Sequence, residues 1–244
     1  MKAFLITLFA GLFFLIGAII AKLGKNKKGI VEFSLSMAFS VMLLLLTFDL
    51  IPEIVELTEN KSKIFVIILG VCGIVILKLI DMLIPHHNHE EEVKKHHHEK
   101  HLEHIGTITT VALIIHNIIE GMSIYGLSLV DPKLGILMAL GVGLHNVPFG
   151  IEITMTLDKA KRKSLPSIIL LTLSTCVSAL IMLSIGEIGD ITLAGLMSIT
   201  IGMIVYLLIF ELAPELYESK NKKSITLGTI VGIILMVANI LIGG

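Results

Sequence analysis

The chain has 244 residues, of which 55% are hydrophobic and only 16% are charged. Soluble domains carry about 25% charged residues, so this low share of charge and the mean hydropathy of +0.93 together exclude a water-soluble domain. The formal net charge of −1 says little about partners.

Apolar runs long enough to cross a bilayer recur along the whole chain. A spanning helix needs about 20 mostly apolar residues, and such runs centre on residues 3–21, 30–52, 64–84, 107–129, 134–156, 166–186, 191–214 and 225–242. Helix is the expected state, because a lone helix satisfies its own backbone hydrogen bonds in lipid and a strand does not. We therefore predict an all-α polytopic membrane protein with eight transmembrane helices, forming a single domain over residues 1–244. Lysines and further spans follow the first run, so we expect it to be retained rather than cleaved as a signal.

Basic residues concentrate on one side of these predicted spans. The first, third, fifth and seventh connections hold most of the 19 lysine and arginine residues, and the opposite side has only Lys2, Lys61, Lys63 and Lys133. Cytoplasmic loops of membrane proteins carry an excess of Lys and Arg. We therefore predict an integral protein of the cell (plasma) membrane with the odd-numbered connections in the cytoplasm and both termini outside.

Residues 85–104, between the third and fourth spans, form the one strongly biased segment. They contain eight of the ten histidines, mixed with lysines and carboxylates: His86, His87, His89, His96, His97, His98, His101 and His104. The segment has too little apolar content to build a core. It is predicted to be a flexible cytoplasmic loop whose imidazoles bind metal weakly at several places, the alternative being a solvated charged connector.

The fourth and fifth spans each carry a His-Asn pair inside an otherwise apolar run. His116 and Glu120 are four residues apart, so a helix places them on one face about one turn apart. A single histidine in such a span is more often bonded to a neighbouring carbonyl, but a repeated pair beside a glutamate favours metal ligation. The predicted ligands are imidazole nitrogens with carboxylate and amide oxygens: His116, Asn117, Glu120, His145, Asn146 and Glu152. This mixture suits Zn²⁺, Fe²⁺, Mn²⁺ or Cd²⁺ better than Mg²⁺ or Ca²⁺.

A second pattern, Phe-[Asp/Glu]-Leu-x-Pro-Glu-x-x-Glu, occurs at residues 48–56 and again at residues 210–218. These segments lie in the second and seventh spans, which the predicted topology runs in opposite directions. Inverted repeats of this kind are typical of transporters. We therefore expect a 3+2+3 helix arrangement with an inverted repeat, and a transport pathway lined by acidic residues at both membrane faces: Asp49, Glu53, Glu211 and Glu215.

Together these patterns resemble the ZIP (Zrt/Irt-like) divalent metal transporters. The resemblance rests on the eight spans, the outside termini, the His-rich loop, and the paired motifs His116-Asn117-x-x-Glu120-Gly121 and His145-Asn146-Val147-Pro148-x-Gly150. It implies uptake of zinc, iron or related ions toward the cytoplasm and, in many members, a homodimer. It also implies that five of the predicted ligands line the transport site: His116, Asn117, Glu120, His145 and Asn146.

The chain departs from that family's pattern in two places. The resemblance implies a glutamate in the fifth span, where this chain has Phe149, and a Glu-Pro pair in the sixth span, where residues 173–178 contain no carboxylate. In the family, the missing glutamate bridges two metal positions. We therefore expect one ion, held by His116, Glu120 and His145 with an asparagine, and with Glu152, one turn beyond Phe149, as a substitute ligand.

The leading functional hypothesis is transport of a divalent transition metal, zinc above all, toward the cytoplasm between the fourth and fifth spans. In that case the metal is the substrate, no catalytic cofactor is required, and the protein is not an enzyme. We expect the divalent metal ion and the lipid bilayer as partners, and no nucleic acid. One alternative is a zinc-dependent intramembrane hydrolase, although the sequence has no His-Glu-x-x-His motif. The other is a membrane metal sensor built around the His-rich loop.

Overall fold

The computed structural model describes residues 1–24, 29–59, 63–82, 95–159, 161–186 and 188–243. All regular structure within those ranges is helical. The eight helices are α1 (Lys2–Gly24), α2 (Ile30–Leu57), α3 (Lys63–Met82), α4 (Lys95–Val130), α5 (Pro132–Lys159), α6 (Leu165–Ile185), α7 (Asp190–Glu218) and α8 (Lys222–Gly243). Each contains a stretch long and apolar enough to cross a membrane, which confirms the prediction of eight spans.

The helices extend beyond the apolar runs at several ends. Helix α2 continues to Leu57, α7 continues to Glu218, and α4 begins at Lys95. Lys and Glu are good helix formers, so a helix does not have to end where its sequence becomes polar. The segment predicted as a loop therefore overlaps α4: the backbone is helical over residues 95–104, and residues 85–94, including His86, His87 and His89, lie outside the described residues.

Helices α2 and α7 each contain a short π-helical segment at the repeated acidic pattern. The segments are Leu46–Leu50 in α2 and Leu207–Leu212 in α7. Pro52 and Pro214 follow them closely, and each proline lacks the N–H that an α-helix uses to bond the carbonyl four residues earlier. Widened turns of this kind are the usual response to an interrupted helical ladder and are frequent at functional sites.

Glycines allow neighbouring helices to approach closely. A Cβ atom on Gly17 of α1 would collide with the carbonyl oxygen of Val147 of α5, and one on Gly150 would collide with that of Phe14. Glycines bring α3 against α7 and α8 against α2 in the same way. Small residues at such contacts are the main means by which helices pack in lipid, where no hydrophobic force drives them together.

Helices α4 and α5 occupy the interior of the bundle. Helix α4 contacts α1, α5, α6 and α7, and α5 contacts α1, α2, α4 and α8. The buried share of the apolar stretch is 61% in α4 and 78% in α5, against 11% in α3 and 22% in α8. The polar residues of α4 and α5 are thus enclosed by protein, and α3 and α8 present their apolar side chains outward.

Candidate metal centre

Three side chains from α4 and α5 converge in the interior. His116 and Glu120 lie one turn apart on α4, and the Nε2 atom of His116 is 3.6 Å from Oε2 of Glu120. His145 of α5 places its Nε2 atom 3.5 Å from the same carboxylate oxygen. One ligand atom from each residue lies within 4.8 Å of the others. All three residues are buried, with no more than 1% of their surface exposed.

The polar atoms of this group have no hydrogen-bond partners. Both ring nitrogens of His116 and His145 and both carboxylate oxygens of Glu120 are buried and unpaired. Burying a polar atom without a partner is costly, and a charge more so, unless a counter-charge or a metal compensates it. A cation bound between the three side chains would be ligated by one nitrogen of each imidazole and by the carboxylate, so the group fits a metal ion.

The two asparagines are held by the flanking helices. The Nδ2 atom of Asn117 donates to Oγ of Ser174 in α6 at 3.1 Å, and Nδ2 of Asn146 donates to the carbonyl oxygen of Ala10 in α1, also at 3.1 Å. The Oδ1 atoms of both amides are buried and receive no hydrogen bond. Each amide therefore uses its donor side to fix its orientation and keeps its oxygen available as a ligand.

Phe149 occupies the position that follows His145 by four residues. Its ring is buried, and its centroid lies 6.3 Å from that of the imidazole at an interplanar angle of 84°. This edge-to-face contact is a favourable aromatic geometry and restricts rotation of the His145 ring.

Glu152 lies apart from the three converging residues. It is seven residues beyond His145, which is about 10 Å along a helix, and it does not belong to the group whose ligand atoms meet. The acidic residues that act electrostatically on its carboxylate are Glu211 and Glu215 of α7. The structure thus places Glu152 with the predicted pathway residues of α7.

The acidic residues of α2 form a second group, separate from Glu152 and the acidic residues of α7. Asp49 is partly buried, and its Oδ2 atom is enclosed without a hydrogen bond. Glu53 is partly buried and interacts electrostatically with Glu56 and with Asp131, which lies between α4 and α5. Glu53 of α2 therefore interacts with Asp131, just before the start of α5, whereas Glu211 and Glu215 of α7 interact with Glu152, near the end of α5.

The donor set defines what the centre can bind. Two imidazole nitrogens with a carboxylate oxygen form a ligand combination that zinc and ferrous iron both use in proteins. Hard cations such as Mg²⁺ and Ca²⁺ prefer oxygen ligands alone. The centre is therefore suited to a borderline divalent metal ion.

A comparison with family models matches residues 85–240 to the family described as ZIP Zinc transporter, more than half of the chain. The chain belongs to the ZIP zinc transporter family. This confirms the resemblance read from the paired His-Asn motifs.

Two relatives match this ZIP-family chain over almost its whole length, and a third matches about half of it. The chain is 29% identical to the Zinc transporter ZupT of Corynebacterium glutamicum, over 98% of each chain. It is 27% identical to the ZupT of Streptococcus mutans over 98% of this chain and 97% of that protein. A third ZupT, from Chlorobium chlorochromatii, is 30% identical over 55% of each. Family membership and the eight apolar helices make this chain an integral membrane protein and a transporter of divalent metal ions.

Some residues around the ZIP-type centre were not predicted from the sequence. Ser174 and Ala10 accept hydrogen bonds from the asparagines, and Asp131 adds a carboxylate to the acidic residues of α2. A serine or alanine in an apolar span looks like any small packing residue, so nothing in the sequence distinguished them. Asp131 was detectable, because it is the acidic residue in the short connection between the two His-Asn helices.

Proposed function

We propose that this ZIP-family protein carries zinc, and also iron, manganese and cadmium, across the cell membrane toward the cytoplasm. The transport site is the His/Asn/Glu group between α4 and α5. The single observation that supports this assignment is the convergence of His116, Glu120 and His145, from two helices, on one buried point with no other polar partners. The names of the relatives, all zinc transporters, support zinc as the principal substrate.

The proposed transport site also includes Asn117 and Asn146 as ligands. Each asparagine directly follows a histidine of the site in the sequence and has a buried Oδ1 atom without a hydrogen bond. An amide oxygen is a neutral ligand that can complete the coordination of an ion already held by one carboxylate. The bonds to Ser174 and Ala10 support this role, since they hold each amide in one orientation.

We further propose that the bundle is an inverted repeat in a 3+2+3 arrangement. Asn146 of α5 donates to the carbonyl oxygen of Ala10 in α1, and Asn117 of α4 donates to the hydroxyl of Ser174 in α6, so the two asparagines bond to helices that the repeat would exchange. The packing of α3 on α7 and of α8 on α2 follows the same exchange, as do the two π-helical segments. A repeat of this kind lets the two halves exchange roles as the site opens alternately to each side.

Acidic residues complete the proposed route at both membrane faces. Asp49 and Glu53 attract cations at the outer mouth, and Glu152, Glu211 and Glu215 receive the ion on the cytoplasmic side. Carboxylates near a mouth raise the local concentration of cations. In this account Glu152 is a step on the exit route rather than a ligand of the central ion.

For the orientation of the protein in the membrane and for its assembly, we propose what the sequence predicts. Both termini lie outside, the segment of residues 85–104 lies in the cytoplasm and binds metal weakly, and two copies form a homodimer. The distribution of lysines supports this orientation. Lys22 and Asp158 form an ion pair of 2.7 Å at the ends of α1 and α5 that this orientation places on the cytoplasmic side.

Zinc uptake into liposomes that contain the purified protein tests the proposal. The parent protein should accumulate zinc, and the variants His116→Ala and Glu120→Ala should not. Glu56→Gln, an exposed carboxylate outside the centre, serves as the matched control and should retain uptake. Equal uptake by the two alanine variants and the parent would show that the site is wrong, and metal binding without any flux would favour a sensor.

A further inference from the structure

Helix α4 is joined to α7 by a hydrogen bond between two buried hydroxyls. The Oγ atom of Ser123 lies 3.3 Å from Oγ1 of Thr200, and both residues are 0% exposed. Thr200 also lies 3.1 Å from the carbonyl oxygen of Leu196, to which it donates its one proton. Ser123 is then the donor to Thr200, and both hydroxyls are satisfied. This Ser123–Thr200 bond thus links the two helices inside the bundle.

The Ser123–Thr200 bond lies one turn from the metal centre, on the side of the α4–α5 connection. Ser123 follows Glu120 by three residues, so it shares the helix face of Glu120 and is closer to Asp131 along the helix. In the proposed orientation this side faces the outside. The bond therefore holds α4 and α7 together between the centre and the outer membrane face.

The surroundings of the bond are apolar and closely packed. Three residues of α7 that share the helix face of Thr200 are each 0% exposed: Leu193, Met197 and Ile204. A Cβ atom on Gly126 of α4 would lie only 2.9 Å from Cδ1 of Leu193. These contacts leave the outer part of the α4–α7 interface closed, and the two hydroxyls supply a specific polar contact within it.

The proposed inverted repeat contains no second copy of this bond. Counted from the paired histidines, seven residues separate each from its counterpart position, which makes Glu152 of α5 the equivalent of Ser123. Counted back from the acidic patterns of α2 and α7, the equivalent of Thr200 is Ala38, which is buried in α2. Alanine has no hydroxyl. Helices α5 and α2 therefore cannot form the same side-chain bond when the two halves exchange roles.

A contact present in only one half shifts the balance between the two conformations of an inverted-repeat transporter. Opening the outer part of the α4–α7 interface breaks the Ser123–Thr200 bond, and closing the equivalent α5–α2 interface makes no replacement. A side-chain hydrogen bond between membrane helices changes such an equilibrium by about 3-fold on average.

We infer that the Ser123–Thr200 bond favours the conformation in which the metal centre is closed to the outside. The inference rests on the proposed function and orientation, since it concerns how the transport site opens. It assigns both residues a positioning role: they set the fraction of molecules open to the outside and do not ligate the ion.

The test measures the reaction of a reporter cysteine with a membrane-impermeant maleimide added to whole cells. Leu127→Cys places the reporter one turn beyond Ser123, at a buried position, in a background of Cys72→Ser and Cys176→Ser. Its reaction rate reports the fraction of molecules that are open to the outside. Thr200→Val removes the hydroxyl at nearly constant size and should raise the rate about 3-fold. Thr200→Ser keeps the hydroxyl and should react like the parent.

Two further variants separate the bond between the helices from general loosening of α7. Ser198→Ala is the matched control, because Ser198 is buried in α7 and its hydroxyl donates to the carbonyl oxygen of Ala194 in the same helix. This control should leave the rate unchanged. Ser123→Ala should match Thr200→Val, and the double variant should be no faster than either, because both changes remove the same bond.

The outcomes separate this inference from the proposed function. Equal rates for Thr200→Val and the parent, equal acceleration by Thr200→Ser, or a reporter that reacts in none of the proteins would overturn the role of the bond. Each of these results leaves the transport site standing. Absence of zinc uptake by liposomes that contain the parent would instead contradict the proposed function. If Leu127→Cys does not fold, Leu193→Cys of α7 replaces it as the reporter.

Discussion

The Nε2 atom of His145 lies 3.5 Å from Oε2 of Glu120, although the two residues belong to different helices. Both side chains are almost completely buried, and the same carboxylate oxygen also lies 3.6 Å from Nε2 of His116. This relationship connects α4 to α5 at the level of the proposed ion. Any rearrangement that separates the two helices would also dismantle the site, so binding and release are linked to the packing of the central pair.

Glu120→Gln tests the need for the carboxylate. The substitution keeps the size of the side chain but removes the carboxylate that, in the part of the chain that the structure describes, converges with the two histidines. Zinc affinity of the purified protein, measured by equilibrium dialysis, should fall by at least about 100-fold, and uptake should fall with it. The control Glu56→Gln should bind like the parent. Retained affinity in Glu120→Gln would contradict the assigned role.

His116→Ala and His145→Ala test whether the two imidazoles hold the same ion. Each variant should lose most of the zinc affinity. The double variant should be scarcely worse than the more affected single variant, because residues that act on one ion are not additive. Glu56→Gln, an exposed carboxylate outside the centre, is the control. Strictly additive losses would indicate two independent ions.

The asparagines pose a different question, which is whether they ligate or only hold neighbouring helices. Asn117→Ala removes the free Oδ1 atom together with the bond to Ser174, whereas Ser174→Ala removes that bond and the bond of the hydroxyl to Leu171 but leaves the Oδ1 atom in place. If Asn117 is a ligand, its alanine variant should lose about 100-fold in zinc affinity and Ser174→Ala about 10-fold or less. Equal losses in the two variants would instead make Asn117 a residue that positions α6.

The fold was predicted closely because its determinants are local. Apolar runs of about 20 residues identify spanning helices without any knowledge of their neighbours, and all eight were found. The extra turns of α2 and α7 and the start of α4 at Lys95 were missed, since hydropathy marks the hydrocarbon layer and not the end of a helix. The π-helical segments were missed too, although Pro52 and Pro214 indicated an interruption nearby.

The site was predictable where its side chains repeat with the period of a single helix. The spacing of His116 and Glu120 was enough to place them on one face, and the repeated motif pointed to His145 as their partner. Glu152 shares the helix face of His145, and for that reason it was predicted as a ligand. Glu211 and Glu215, which act electrostatically on Glu152, come from α7, and no pattern within α5 could show that influence.

Lowering the pH should weaken zinc binding. Protons compete with the metal for imidazole nitrogens and carboxylate oxygens, so affinity is highest where both histidines are neutral and falls as they become protonated. Isothermal titration calorimetry should show a loss of more than about 10-fold between about pH 7 and about pH 5. His145→Ala should show a shallower dependence, because one competing ligand is gone. Constant affinity over this range would argue against imidazole ligation.

The His-rich segment is expected to modulate transport rather than carry it. Replacing its eight histidines with asparagine keeps the length of the connection, and initial zinc uptake should stay within about 2-fold of the parent because the central ligands are untouched. Elemental analysis after washing should find less zinc in the purified variant than in the parent, because the variant lacks the histidines that bind zinc weakly. Complete loss of uptake would show that these histidines belong to the route itself.

Anomalous diffraction from zinc-soaked crystals tests the central claim most directly. The account predicts one peak per chain between α4 and α5, about 2.0–2.2 Å from a nitrogen of His116, a nitrogen of His145 and an oxygen of Glu120. A centre without a zinc peak, or a peak that none of these three side chains touches, would contradict it.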